Sequence, residues 1–142
     1  MRILILICFA FLTYNVKAQS EKIYDYSNPS LTIKPAPSEE FEIWLKENNQ
    51  KLGVKAPYSS KKGTKVTLVF IVDENGRIQN PKIWRGIGQG YDEYAYELIK
   101  SNPNYWISGK TDASNVKTEV YYQLDFMKNN NSIRTKENDL MK

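Results

Sequence analysis

Six residues in a row, Thr67-Leu68-Val69-Phe70-Ile71-Val72, run without a charge directly into Asp73-Glu74-Asn75-Gly76-Arg77. An unbroken run of β-branched and aromatic side chains describes a strand buried on both faces. The residues behind it are turn chemistry. Aspartate can bind the backbone two residues on, and asparagine and glycine accept positive φ. The chain is therefore predicted to fold straight back through residues 77–85 as a hairpin. Pro81 lies inside the returning strand. Proline gives no amide to a ladder, so that strand belongs at a sheet edge or carries a bulge, with the apolar strand in the middle.

Helical signals flank the hairpin. Ser38 reads as an N-cap, with Glu39 and Glu40 in the first turn. Phe41, Trp44, Leu45 and Leu52 form one stripe, and Gly53 can close the helix, which is predicted over residues 39–52. After a flexible Gly86-Ile87-Gly88-Gln89-Gly90 connection, Asp92 is expected to cap a second helix. Tyr91 would staple to Tyr96, Ala95, Leu98 and Ile99 would be buried, and Asn102-Pro103 would stop the helix. Residues 108–115 read as a polar loop. From Val116 to Phe126, apolar and polar residues alternate, the pattern of a half-buried strand charged on its outer face. Tyr121 falls on that outer face, and Trp44 and Trp106 are read as core.

The order helix, strand, strand, helix, strand gives an α+β fold: a three-stranded mixed sheet in the order 2-1-3 with both helices on one face. Residues 38–127 make this domain. Residues 19–37, broken by Pro29, Pro35 and Pro37, read as an extended leader without a core of its own. Residues 128–142, rich in Asn and charge, read as a disordered tail. Residues 1–18 have the plan of a secretory signal, with Arg2, an apolar stretch from Ile3 to Leu12 and cleavage expected after Ala18. A bilayer-spanning helix needs about 20 apolar residues, and Tyr14-Asn15 ends this run sooner.

Export bounds the chemistry. Cys8 lies inside the signal, so the mature chain has neither cysteine nor histidine. Disulfide staples, thiol catalysis, histidine acid–base work and soft-ligand metal sites are excluded. Taking Arg2 and Lys17 from the 20 basic residues leaves 18 against 16 acidic ones, with the signs interspersed, which gives no basic face for nucleic acid. Glu93 and Glu97, one helical turn apart, read as a solvated face rather than a two-carboxylate site. Asp73-Glu74-Asn75-Gly76 opens like a calcium loop but lacks the closing ligands, so the turn reading stands. Gly86-x-Gly88-x-Gly90 lacks the spacing of a dinucleotide loop. No catalytic residue, cofactor or metal is expected, and the chain is not read as an enzyme.

Spread in order along about 90 residues are pieces that resemble the TonB C-terminal domain family. Phe41-Glu42-Ile43-Trp44-Leu45 with Asn48 is similar to its opening helix, and residues 63–78 to its first hairpin. Arg85-Gly86-Ile87-Gly88 and Tyr91-Asp92-Glu93-Tyr94-Ala95 resemble its loop and second helix. Asn102-Pro103-Asn104-Tyr105-Trp106 with Gly109-Lys110 resembles its Pro-x-Trp-x-Pro-Gly stretch, and residues 120–126 its last strand. Two departures are local: Ala56-Pro57-Tyr58-Ser59 replaces a Tyr-Pro followed by Ala, and Ser108 replaces the second proline.

The resemblance implies a periplasmic module that grips an extended peptide of an outer-membrane transporter beside its last strand, by β-augmentation linked to energy-dependent transport. An envelope adaptor without energy transduction is the alternative. The expected partner-binding residues are Val120, Tyr121, Tyr122, Gln123, Leu124, Asp125 and Phe126, on a margin expected to be open. The competing reading is that Lys117, Glu119 and Asp125 protect that edge from pairing. A homodimer made by strand exchange is open to a domain of this shape.

Overall fold

The computed structural model describes residues 21–51, 65–103, 106–126 and 132–134. The expected signal, residues 52–64 with Leu52, Gly53 and the Ala56-Pro57-Tyr58-Ser59 departure, and Asn104-Tyr105 lie outside the described residues. In chain order the elements are β1 (Tyr24–Asp25), β2 (Ala36–Pro37), α1 (Glu39–Lys51), β3 (Lys65–Val72), β4 (Ile78–Arg85), α2 (Tyr91–Lys100), β5 (Trp106–Ile107), β6 (Gly109–Lys110), β7 (Asn115–Val116), β8 (Thr118–Asp125) and β9 (Ser132–Arg134).

The fold is α+β. Central β3 pairs antiparallel with β4 on one side and with β8 on the other, which is the expected order of hairpin and last strand. The sheet is larger than expected. Among the described residues it runs β1-β8-β3-β4, and β9 also joins β8, which makes five strands rather than three. Two further pairs, β2 with β5 and β6 with β7, form separate two-stranded ribbons. The second ribbon occupies most of the stretch expected to be a plain loop.

Both helices cover one face. Phe41 and Leu45 of α1 and Ala95, Leu98 and Ile99 of α2 share a core with Val66, Leu68, Phe70 and Val72 of β3 and with Val120, Tyr122 and Leu124 of β8. These strand positions alternate, as one face of a pleated sheet requires. Each such side chain removed from water stabilises the fold by about 1.5–3 kcal/mol before the cost of ordering it. Trp106 closes the end of this core, edge-on to Phe41, Phe70 and Tyr122 at centroid distances of 5.4, 5.2 and 5.3 Å. Trp44 is only half-buried and packs at the core's rim.

The hairpin turn follows from Asp73. Its carboxylate accepts the Asn75 and Arg77 amides at 2.9 Å each and the Gln79 side-chain amide at 2.9 Å. With its oxygens committed to the turn, this carboxylate organises β4 rather than holding an ion. Gly76 completes the turn at φ 78°, and a Cβ there would overlap the Trp106 carbonyl oxygen. The turn thus also seats the tryptophan that closes the core.

Helix α1 starts as expected, with the Phe41 amide donating to Ser38 Oγ at 3.2 Å. Its first-turn backbone, and then the Ser38 hydroxyl, hold the Glu40 carboxyl below its ordinary range. Helix α2 departs from expectation. Gly90, at φ 84°, is its N-cap and supplies no side-chain cap, and Tyr91 is already helical. Asp92 reaches backward instead, accepting the Ile87 amide at 2.8 Å and the Gly88 amide at 3.2 Å. The glycine-rich loop is therefore wrapped around a carboxylate of its own chain. That internal anion fills the place where a phosphate would have to sit.

The leader also departs from expectation, because it has a place in the fold. Leu31 and Pro35 are buried, and Tyr26 packs against the core. Asp25 and Asn28 supply local turns, accepting the Ser27 amide at 2.8 Å and the Ser30 amide at 2.9 Å. Ile33 bridges to Lys110, and Ala36–Pro37 pair with Trp106–Ile107. The prolines that suggested a free linker leave enough amides between them for these short pairings. Of the expected disordered tail, residues 132–134 form β9, and residues 128–131 and 135–142 lie outside the described residues.

Candidate docking margin

Strand β8 presents a regular ladder to β3, from Thr118 opposite Val72 to Asp125 opposite Lys65, with no register shift. Its side chains are spent inside the molecule. Val120, Tyr122 and Leu124 enter the helix-covered core. Burial first, and the Glu42 carboxylate second, push the Tyr122 phenol well above its ordinary 10.0, so it stays protonated.

The opposite face is not the solvated, charged surface the alternation suggested. Tyr121 is only 3% exposed, and Trp84 of β4 reaches over β3 to stand edge-on to it, 5.2 Å away at 87°. Gln123 donates to Thr67 Oγ1 at 3.4 Å, and both residues are buried. Asp125 is buried too, with the Lys65 ammonium 3.8 Å away. Phe126, just past the strand, is half-buried beside Tyr91 and Tyr94 at 5.1 and 5.7 Å. Six of the seven predicted residues, Val120 to Asp125, thus share one margin, and Phe126 follows at its end. What that margin can offer a partner is backbone, not side chains.

The margin was expected to be open, and it is occupied. Strand β1 runs parallel to it, Tyr24 opposite Thr118 and Asp25 opposite Glu119. Strand β9 runs antiparallel to it, with Arg134, Ile133 and Ser132 opposite Tyr121, Tyr122 and Gln123. The physical reason is the one that made an open margin attractive: unpaired amides and carbonyls seek partners. Here short segments from both ends of the chain supply them. The Tyr24 amide donates to the Lys117 carbonyl at 2.8 Å, and the Glu21 carboxylate meets the Lys117 ammonium. That hydrogen bond is the first cause of a raised Lys117 pKa.

Sequence reasoning missed these covers. For β1 a signal existed: Tyr24 and Tyr26, two residues apart, have the period of a strand. For β9 the only sign was Ile133 between polar neighbours.

The opposite margin belongs to β4. Pro81 interrupts it, Asn80 takes a positive φ of 51°, and the register to β3 shifts twice. Between β4 and α2 lies an open groove of about 230 Å³ lined by Ile83, Asp92, Glu93, Tyr96 and Glu97. Glu93 and Glu97 are exposed, and Glu97 stands 3.8 Å from Lys100. Comparison of the chain with protein-family models, with curated proteins and with solved structures finds no match.

Proposed function

We propose that the chain is an envelope docking module that adds an extended peptide to the β8 margin, the partner being a segment of an outer-membrane transporter, as its resemblance to TonB C-terminal domains implies. The observation that carries this reading is the margin's behaviour toward its own chain. Along eight regular residues it takes up one extended segment in the parallel sense and another in the antiparallel sense. A backbone that accepts both directions is suited to β-augmentation, in which main-chain bonds supply the affinity. The β4 margin, with its proline and its bulges, is not.

The test is a titration of the exported chain, labelled for amide NMR, with peptides from the periplasm-facing ends of outer-membrane transporters. Docking should shift the amides of residues 120–126 and leave those of β4 in place. Shifts confined to β4 and α2, or none with any peptide, would remove this margin as the site.

A further inference from the structure

We propose that the tail strand β9 is an exchangeable occupant of the docking margin, which a partner peptide replaces while β1 stays in place. The inference rests on the docking reading above, and it adds how access to that site is controlled.

Position is the first argument. Ser132–Arg134 lie opposite residues 121–123, the middle of the proposed docking stretch, whereas β1 covers only Thr118 and Glu119 at its edge. The connection is the second. Residues 126–131 alone separate the end of β8 from β9, so the tail returns to its place as an intramolecular competitor with a high effective concentration.

Anchoring is the third argument. β1 is continuous with a leader fixed by buried Leu31 and Pro35, by Tyr26 against the core and by the Glu21–Lys117 ion pair. β9 joins the sheet through three residue pairs. A partner strand spanning residues 120–125 would make more main-chain bonds than the tail it displaces. The fitting partner is an extended, proline-free segment of about four to six residues, laid antiparallel in the place of β9.

The experiment uses the full chain carrying Ile133→Pro, which removes the amide at the centre of β9 and leaves β8 intact. The probe is a labelled peptide of residues 129–137 of this chain. It should bind the variant at least about tenfold more tightly than the native chain, because the tail no longer takes a share of the free margin. Equal binding to both chains would overturn the exchange. So would no binding to a variant whose circular dichroism and unfolding midpoint are native.

A second chain, with Gln123→Cys and Ser132→Cys at positions opposite in register, should lose the probe when oxidised and regain it when reduced; binding indifferent to redox state overturns the proposal. The docking reading fails separately. A transporter peptide that ignores the Ile133→Pro chain, while the tail peptide binds it, removes docking and leaves the exchange. A transporter peptide that binds both chains equally keeps docking and removes the exchange.

Discussion

The two margins of the sheet are protected by opposite means. β4 guards itself: Pro81, the left-handed Asn80 and two register shifts spoil its ladder from within. β8 has no such defect. Its ladder is straight, and it is covered by segments recruited from the leader and the tail. An edge spoiled by its own residues is a poor template for any added strand, whereas a regular edge covered by short strands remains a good one. The proposed docking reading puts strand addition on the β8 side for this reason, and the contrast can be attacked from either side.

The largest expected effect is on the self-guarded side, at the turn that launches β4. Gly76→Ala places a Cβ at φ 78° against the Trp106 carbonyl. Backbone strain plus that overlap should cost about 3 kcal/mol or more. Urea unfolding checks it; a loss under about 1 kcal/mol would mean that the turn and Trp106 do not depend on each other.

Next come the two rings that connect the margins. Tyr121→Ala empties a buried site and should cost about 3 kcal/mol. Trp84→Ala, at a residue 42% exposed, should cost about 1 kcal/mol. The double variant should reveal a coupling of about 0.5–1.5 kcal/mol. Additive losses would show that the ring contact across β3 does not tie the margins together.

Removing the guard itself should act on association more than on stability. Pro81→Thr restores an amide to the exposed edge, with a stability change within about 1 kcal/mol. Sedimentation should then detect stronger concentration-dependent self-association than in the native chain. A variant with no such gain would assign the protection to the left-handed Asn80 and the two register shifts.

The same contrast explains what the sequence disclosed. The β4 side is written locally: the Asp73 carboxylate meets partners two, four and six residues away. Strong turn residues, an interior proline and an apolar run can all be read over such distances, so the hairpin, its edge position and the order of the three main strands were legible. Asp92 was misread because an acidic residue near a helix start has two uses, and the glycine loop before it claimed the carboxylate. The covers of β8 could not be read in the same way. They are two and three residues long, and the ion pair beside β1 joins positions 96 residues apart. Segments that short bury little apolar surface and leave little pattern. Six of the seven predicted site residues lie on β8 and Phe126 follows it, but whether their margin was free depended on those distant partners.

The smallest expected effect tests how firmly β1 is fixed, the premise that separates it from β9. Glu21→Gln removes the carboxylate that raises the Lys117 pKa. The Glu21 side chain is 62% exposed, and pairs of this kind contribute little to global stability and weaken in salt. The unfolding midpoint should therefore stay where it is. The local signature is the Tyr24 amide, which donates to Lys117 and should exchange faster in the variant. The sign with pH follows from the raised lysine. The ion pair holds in full below the ordinary lysine value of 10.5 and is lost as pH rises through the higher folded value, so protection of Tyr24 should decline there in the native chain. The variant should lack that decline once intrinsic exchange is corrected for. If Tyr24 remains equally protected in both chains, Leu31, Pro35 and Tyr26 hold β1 without help from charge. If the whole leader loosens instead, β1 is as removable as β9, and the open stretch available to a partner extends back to Thr118.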